Sequence, residues 1–164
     1  MGDLVMISGI TLADVASPDD ALDMARCRNE VRSYLTHNTN AISPEQQLEW
    51  YRTTYIPGRT RGKMFGYVLR EGLNPIGYGL ITERDELMWV SGGVDQQYRG
   101  KGLGEAVFHF LTEHIHDELG HSGAFLDVRE DNIPAQRLYE KLGYSALGHV
   151  NGLIQMIHRK EVQS

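Results

Sequence analysis

The sequence predicts an α/β (α+β) domain with a mixed, mostly antiparallel sheet of about seven strands flanked by about four helices. Three strand-like segments, 64–69, 75–82 and 86–94, follow one another with only short turns between them, which predicts an antiparallel meander. A glycine-rich turn and a long amphipathic helical pattern come directly after the meander. One further strand, a helix and two closing strands complete the chain, and Asn151-Gly152 is a strong hairpin signal between the last two.

The chain before the meander is predicted to hold one strand and two helices. Residues 5–12 alternate loosely between apolar and polar types, which indicates the first strand. Residues 17–20 begin a helical pattern, with Ser17 or Asp19 as its cap, that extends to about Leu35. Ser43 begins a second helix, with a proline in its first turn and a glutamine at capping-box distance, and Pro57-Gly58 is expected to end it.

Three groups of residues in these segments have two interpretations each. Trp50 and Tyr51 are either core residues, which the burial habits of aromatic side chains favour, or contacts to a substrate. The basic segment 59–63 is either a solvated turn, which is favoured, or a contact to an anionic ligand. The helix after the glycine turn carries histidines that do not share the i,i+4 spacing of metal ligands, so a solvated polar face is expected there and no metal: His109, His114 and His116.

The composition is that of an ordinary globular domain and excludes several functions. The 164 residues suffice for one domain, expected to span residues 1–164, and 41% of them are hydrophobic. A formal charge of −6 argues against a nucleic-acid partner, which requires a basic face. No apolar run reaches membrane-spanning length and no signal pattern begins the chain, so no membrane partner is expected. The single cysteine, Cys27, excludes an internal disulfide and suits a reducing, cytoplasmic compartment.

The turn between the third meander strand and its helix is the strongest functional signal in the sequence. The first amides of a helix have no intrahelical acceptors and favour an anion, and glycines allow that anion to approach the backbone. Arg99 and Lys101 add positive charge at the same place. The pattern therefore predicts a phosphate site formed by consecutive residues, Arg99, Gly100, Lys101, Gly102, Leu103 and Gly104.

Two common phosphate motifs do not match this turn, but a third does. The Walker spacing lacks its first glycine and its final hydroxyl residue, and the dinucleotide fingerprint would need its third glycine at Glu105. The pattern Arg99-x-x-Gly102-x-Gly104 resembles the [RQ]-x-x-G-x-[GA] acetyl-CoA signature of the GNAT N-acetyltransferase superfamily. A second segment, from Leu126 to Tyr144, is similar to the family's fifth strand and following helix, with the pattern N-x-x-A-x-x-L-Y-x-x-x-G-[FY].

The resemblance implies a GNAT fold, acetyl-CoA as co-substrate without a metal, and a small-molecule or peptide amine as acceptor. It also implies a sheet splayed between its fourth and fifth strands, and family members are often homodimers. In the family the pantetheine arm enters the splay, which here places Gly92, Gly93 and Val94 beside it. The glycine pair suits a β-bulge, and the Val94 N–H is then a candidate donor to the thioester oxygen.

The resemblance also assigns candidate roles to individual side chains. Tyr139 aligns with the family's tyrosine that protonates the departing thiolate, and Asn132 aligns with a side chain that contacts the pantetheine arm. Asp127 occupies the position at which a relative that acetylates protein N-termini has a catalytic glutamate; being one methylene shorter, it would act through water. Glu83 and Glu86, near the mouth of the strands, are rival candidates for the general base.

The identity of the acceptor remains open at the level of sequence. Short matches within residues 28–50 are similar to the amino-sugar N-acetyltransferases of pseudaminic acid biosynthesis, which implies an amine on a nucleotide-linked sugar. The acidic overall charge favours a cationic acceptor instead, such as a protein N-terminus, a polyamine or a drug amine. An acyl-CoA-binding sensor that retains the phosphate site with little catalysis is the alternative from another functional class.

Overall fold

A computed structural model describes residues 4–7 and 9–161. The strands in this part of the chain are β1 (Leu4–Ile7), β2 (Ile10–Asp14), β3 (Met64–Glu71), β4 (Asn74–Arg84), β5 (Leu87–Val94), β6 (Gly123–Arg129), β7 (Ser145–Val150) and β8 (Leu153–Arg159). They form one eight-stranded sheet in the order β1-β2-β3-β4-β5-β6-β8-β7. All neighbours are antiparallel except β5 and β6, which confirms the predicted mixed, mostly antiparallel class.

Helices cover both faces of this sheet. The α-helices are α1 (Pro18–Glu30), α2 (Pro44–Trp50), α3 (Ile56–Thr60), α4 (Leu103–Glu113) and α5 (Ile133–Lys141). Short 3-10 turns occupy Arg32–Tyr34 and Gln96–Tyr98, and π-helical turns occupy Tyr51–Tyr55 and His114–Glu118. None of the helices in the described part of the chain combines the length and apolarity needed to cross a bilayer.

The single first strand predicted over residues 5–12 is wrong, because the chain reverses within it. β1 and β2 are antiparallel neighbours, and only β2 continues the sheet by pairing with β3. Gly9, at φ +81°, adopts the left-handed backbone that the reversal requires. Residue 8 of the predicted strand lies outside the described residues. This division raises the strand number from about seven to eight.

The predicted helix starts are confirmed by their capping contacts. The Ser17 hydroxyl accepts a hydrogen bond from the backbone N–H of Asp20 at 3.1 Å. Ser43 and Gln46 form the predicted capping box at the start of α2. The Asn132 side chain caps α5 by accepting a backbone hydrogen bond at 3.3 Å. These local polar signals therefore define where three of the helices begin.

Two predicted helix ends are wrong. The first helix was expected to reach about residue 35, but α1 ends at Glu30 and the chain tightens into the 3-10 turn. Pro57-Gly58 was expected to end the second helix, which instead continues to Thr60 as α3. The π turn before α3 widens the backbone, so Pro57 falls in the first turn of a new α segment, where its missing N–H is tolerated.

The core has a layer on each face of the sheet. The larger layer packs α4 and α5 against the sheet and includes Leu103, Leu111 and Leu126, which are at most 1% exposed. The smaller layer packs α1 and the π turn after α2 against β3 and β4. It contains Cys27, and burial raises the pKa of the Cys27 thiol to about 12.

The polar histidine face predicted on the long helix is wrong for His114 and His116, which are both buried. The π turn after α4 rotates them inward, where His114 packs at 5.6 Å from the Phe65 ring. One ring nitrogen of His116 lies 2.7 Å from the His121 carbonyl and the other 2.9 Å from His158 Nδ1. Backbone and ring partners therefore satisfy the buried His116 ring.

The sheet opens between β5 and β6. These parallel strands pair only at Met88–Ala124 and Trp89–Phe125, and then separate. β5 remains paired with β4 as far as Val94, and β6 remains paired with β8 as far as Arg129. Beyond their two shared pairs, the facing edges of β5 and β6 are therefore not paired with each other. The splay implied by the sequence, between its fourth and fifth strands, is thus confirmed between β5 and β6.

Candidate active site

The splay leads into a groove of about 1020 Å³ between the end of β5, the start of α4 and the start of α5. We call this cavity the groove. Its floor includes the backbone of Gly92, Gly93 and Val94, and its far wall includes Asn132 and Tyr139. The predicted site residues from the two halves of the motif therefore lie on opposite walls of one cavity.

The backbone at one end of the groove is arranged to receive an anion. Gly100 and Gly102 have φ values of +78° and +76°, a left-handed conformation that favours glycine. No N–H from Gly100 to Glu105 donates to a protein oxygen within residues 4–7 and 9–161. Leu103 is 1% exposed in the core, so it can serve a ligand only through its backbone N–H. These free amides at the start of α4 form an anion site.

The basic side chains of this turn behave differently from one another. Arg99 lines the groove, with its guanidinium 4.6 Å from the centre of the Tyr34 ring and its Nε donating to the Val94 carbonyl at 3.4 Å. The Lys101 side chain instead lies over the Tyr98 ring at 5.2 Å and does not line the groove. A cation that sequence reasoning missed, Lys141, does line it.

The predicted β-bulge at Gly92 and Gly93 is wrong, because β4 and β5 keep an unbroken register through both residues. The glycines are required by close packing instead. A Cβ on Gly92 would lie 2.6 Å from the Tyr78 carbonyl oxygen, and one on Gly93 would lie 2.8 Å from Val31 Cγ2. The backbone of β4 at Tyr78 leaves no room for a side chain at Gly92, and Val31, at the end of α1, leaves none at Gly93.

The unbroken register also indicates where the Val94 amide points. The N–H of Asp95 donates to the Ile76 carbonyl at 2.8 Å, on the β4 side of the strand. Successive residues of a strand direct their backbone groups to alternate sides, so Val94 directs its own toward the splay. The carbonyl of Val94 is contacted by Arg99 from that side, which agrees with this orientation.

Tyr139, on α5, lines the groove. Its ring is half-buried and packs 4.9 Å from the Phe108 ring and 6.1 Å from the Tyr144 ring. Its hydroxyl makes no hydrogen bond to the described residues, unlike that of Tyr144, which pairs with Thr112 at 2.5 Å. Burial, with a smaller contribution from Tyr144, raises the pKa of Tyr139 well above its usual value, so the hydroxyl stays protonated.

A smaller cavity of about 220 Å³ adjoins the groove, and we call it the side chamber. It lies on the face of the sheet where Trp89 and Asp127 project, and residues 34–37 form one of its walls. Seven residues line both the side chamber and the groove, among them Gly92, Asn132 and Tyr139. The two cavities therefore meet at these residues, and we call this place the junction.

Asp127 is the carboxylate of the side chamber. Its side chain is 6% exposed, and its Oδ2 lies 2.8 Å from His37 Nε2 and 3.3 Å from an Arg84 guanidinium nitrogen. Its Oδ1 is buried and has no hydrogen-bond partner among the described residues. A buried acceptor without a partner is uncommon in folded proteins.

The structure does not bring every predicted residue to this site. Glu83 lines neither cavity, and its carboxylate pairs with Lys63 at 3.1 Å. Glu86 lies in the turn before β5, at φ 65°, and also lines neither. Trp50 and Tyr51 pack on the Tyr55 ring at 5.3 and 5.7 Å, which is the core interpretation.

Sequence reasoning missed several residues that the structure places in the site. His37, Arg84 and Arg129 belong to none of the motifs that the sequence analysis used. Arg129 lines both cavities, holds Asp131 through two hydrogen bonds of 3.0 and 2.7 Å, and donates to the Ser33 carbonyl at 2.8 Å. The end of β6 is thereby tied to the segment that walls the side chamber.

Comparisons with known proteins agree with this geometry. The model of the acetyltransferase (GNAT) family matches residues 24–144. The spermine/spermidine N(1)-acetyltransferase of Bacillus subtilis is 25% identical over 136 residues, which are 79% of this chain and 82% of that protein.

Solved structures share the fold across nearly the whole chain. The ribosomal-protein-S5-alanine acetyltransferase from Vibrio fischeri superposes with a TM-score of 0.81 at 13% identity, covering 97% of both chains. A putative acetyltransferase from Salmonella typhimurium, solved with its cofactor acetyl-CoA, has a TM-score of 0.75 at 18% identity, covering 95% of this chain and 96% of that one. At these identities the likeness shows the fold alone.

Proposed function

Because the chain belongs to the acetyltransferase (GNAT) family, we propose that it moves an acetyl group from acetyl-CoA directly to a primary amine within a ternary complex. The observation that carries this proposal is the junction of the groove and the side chamber at Gly92, Asn132 and Tyr139. A thioester lying in the groove and an amine entering through the side chamber meet there. No acetylated protein residue is needed between them.

The groove suits the diphosphate and the pantetheine arm of acetyl-CoA. The free amides from Gly100 to Glu105 bind the diphosphate, and Arg99 adds a positive charge beside them. Asn132 uses its side-chain oxygen to cap α5, so its amide hydrogens remain for the arm. The Val94 N–H, directed toward the splay, donates to the thioester oxygen as negative charge develops there.

The amine must lose its proton before it attacks. An alkyl amine with a pKa of about 10.4 costs about 4–5 kcal/mol to deprotonate at neutral pH, so a positioned base accelerates the reaction. Asp127 orients His37 through the 2.8 Å contact, and the His37 side chain is 58% exposed, so the amine can reach this pair through the imidazole. We therefore assign proton removal to the Asp127–His37 pair and leave Glu83 outside it.

Tyr139 assists departure of the CoA sulfur. Its raised pKa keeps the hydroxyl protonated, so a hydrogen-bond donor always faces the junction. Because a thiol has a pKa of about 8.5, full proton transfer from so weak an acid is uphill, and the tyrosine must recover its proton from the attacking amine. The reaction then releases N-acetylated amine and CoA thiol, with the amine as the net source of the proton.

The direct test of this function is Tyr139→Phe. We expect turnover, measured as CoA thiol released, to fall by about 100-fold, because general acid–base assistance is worth that order of rate. The affinity for acetyl-CoA, measured by calorimetry, should stay near that of the wild type. Unchanged turnover would remove Tyr139 from the mechanism, and thiol release with no amine at all would favour the acyl-CoA sensor.

The acceptor belongs to one of the classes that the sequence left open. A relative bears the name of a polyamine acetyltransferase and a structural neighbour that of a ribosomal-protein-alanine acetyltransferase. The local similarity in residues 28–50 points instead to an amine on a nucleotide-linked sugar. These acceptors differ in the charge that they carry beside the amine. The side chamber is itself lined by charged side chains, so it can distinguish between them.

A further inference from the structure

The charges that line the side chamber are opposite in sign to the charge of the whole chain. Arg84 and Arg129 line it against a single carboxylate, that of Asp127, although the formal charge of the protein is −6. The Asp127 carboxylate is already in contact with His37 and Arg84. A polyamine would bring further positive charges into this cavity, and no free carboxylate lines it to receive them.

Arg84 is held in a fixed position with most of its donors unused. Its guanidinium carbon lies 3.8 Å from the centre of the Trp89 ring, and the Trp89 indole N–H donates to the Arg84 carbonyl at 3.3 Å. Of the five N–H donors of a guanidinium, one contacts Asp127, and no other has a partner among the described residues. The side chain is 43% exposed, so these donors are accessible.

Arg129 is less available than Arg84. All three of its nitrogens donate to protein oxygens, two to Asp131 and one to the Ser33 carbonyl. Its position is therefore structural, whereas Arg84 presents a planar fork that makes only the one contact to Asp127, and this geometry binds carboxylate and phosphate oxygens.

We propose that the acceptor amine carries an anionic group, a carboxylate or a phosphate, and that Arg84 binds this group while the amine reaches the junction. The inference rests on the proposed N-acetyltransferase function and names its substrate class. Trp89, beneath Arg84, precedes Gly92, at the junction, by three residues of β5, about 10 Å of strand. The amine and the anion are accordingly several bonds apart.

The volume of the side chamber limits the rest of the acceptor. At about 220 Å³ it is smaller than the roughly 300–1,000 Å³ of pockets that enclose drug-sized ligands. A small amino acid or aminoalkyl phosphate fits inside it, and a larger acceptor inserts only the end that bears the amine.

The experiment compares amines of matched length and different charge by the rate of CoA thiol release. 4-Aminobutyrate is compared with butylamine and 1,4-diaminobutane, and 2-aminoethyl phosphate with ethanolamine and ethylenediamine. We expect kcat/KM to be about tenfold or more higher for the anionic member of at least one set, because a hydrogen bond to a charged group has that effect. The set with the larger ratio distinguishes carboxylate from phosphate.

Two variants separate recognition by Arg84 from its contact with Asp127. Arg84→Gln should remove most of the preference for the anionic amine and change kcat/KM for the neutral amine much less. Arg61→Gln makes the same charge change on an exposed turn outside both cavities and should keep the preference. The calorimetric affinity for acetyl-CoA, measured for both variants, shows that the groove is intact.

Other outcomes overturn the inference in distinguishable ways. Faster turnover of the diamine or of the neutral amine overturns the anionic acceptor and leaves the acetyltransferase in place. An equal loss for all amines in Arg84→Gln reduces Arg84 to a partner that holds Asp127. If no amine of either set or of a wider panel releases thiol while acetyl-CoA still binds, the proposed function itself fails.

Discussion

The groove and the side chamber are built from different kinds of chemical group. At its phosphate end the groove relies on backbone amides, and one continuous stretch from Gly100 to Glu105 supplies them. The side chamber relies on side chains, and its polar members His37, Arg84 and Asp127 come from three distant parts of the chain. A site made of backbone requires a local conformation, whereas a site made of side chains requires the whole fold.

This difference explains why a family can keep one site and vary the other. The conformation of the turn before α4 depends on glycines and on the helix start, so it tolerates change elsewhere in the chain. Each charged side chain in the side chamber can be replaced without altering the fold, because it projects from a strand or connection that other residues hold in place. The glycine turn and the side chamber can therefore change independently of each other.

The largest expected effect comes from removing the carboxylate of the side chamber. Asp127→Asn should lower kcat/KM for every amine by about 100-fold, because it weakens the proton acceptor and the orientation of His37. The affinity for acetyl-CoA, measured by calorimetry, should not change. Such a result would show that the two cavities work independently until they meet.

Glu83→Gln is the informative companion to this variant. It removes the rival carboxylate, which pairs with Lys63 and lines neither cavity, and we expect its kcat/KM to match the wild type. A large loss of activity in Glu83→Gln together with full activity in Asp127→Asn would identify Glu83, and not Asp127, as the general base. It would also remove the side chamber from the reaction.

A smaller effect is expected from a single methyl group in the groove. Gly102→Ala forces a side chain into a left-handed conformation that costs about 1–2 kcal/mol, so the loop relaxes and acetyl-CoA binding should weaken by about tenfold. Gly62→Ala is the matched control, because Gly62 has φ +71° and the same open surroundings but lies outside the groove. Calorimetry should show weakened binding only for Gly102→Ala.

The smallest effect concerns the scaffold behind both cavities. Burial, and then the neighbouring His116 ring, lower the pKa of His158 below 6.5. Between the lowered pKa and pH 6.5, His158 therefore stays neutral in the folded state and is protonated in the unfolded chain. The neutral His158 contributes its full share to the free energy of unfolding above pH 6.5, and this share decreases as the pH falls toward the lowered pKa.

Urea unfolding at several pH values measures this decrease. His158→Gln should reduce the decrease, and burial, which also lowers the pKa of His114, accounts for a remainder. His109→Gln, at an exposed position on α4, should leave the decrease as in the wild type. Since His158 lines neither cavity, His158→Gln should leave acetyl-CoA binding and turnover at neutral pH as in the wild type.

The sequence was most informative where a signal is local. Helix caps and turns depend only on neighbours within a few residues. This holds for the caps at Ser17, Ser43 and Asn132, for the glycine turn, and for the hairpin at Asn151-Gly152, whose two residues have positive φ. The parallel crossover from β5 to β6 followed from the helix that connects them. The order of the meander and the location of the groove could therefore be predicted.

The sequence was least informative where distant segments come together. His37 and Asp127 are 90 residues apart in the chain, and no spacing rule connects them. Glu83 was plausible by position along its strand, but its side chain turned to Lys63. Gly92 and Gly93 resembled a bulge, but Tyr78 and Val31 were the actual reason for glycine. Each of these errors concerns a contact that only the tertiary structure defines.

The buried position of Cys27 has a practical consequence for all the assays above. It is the sole sulfhydryl of the chain, and with a pKa of about 12 it carries almost no thiolate at neutral pH. A disulfide reagent added to the folded enzyme therefore reacts with the CoA thiol that is released and not with the protein. The same reagent, added at increasing denaturant concentrations without substrate, reacts with Cys27 once α1 opens and so reports that opening.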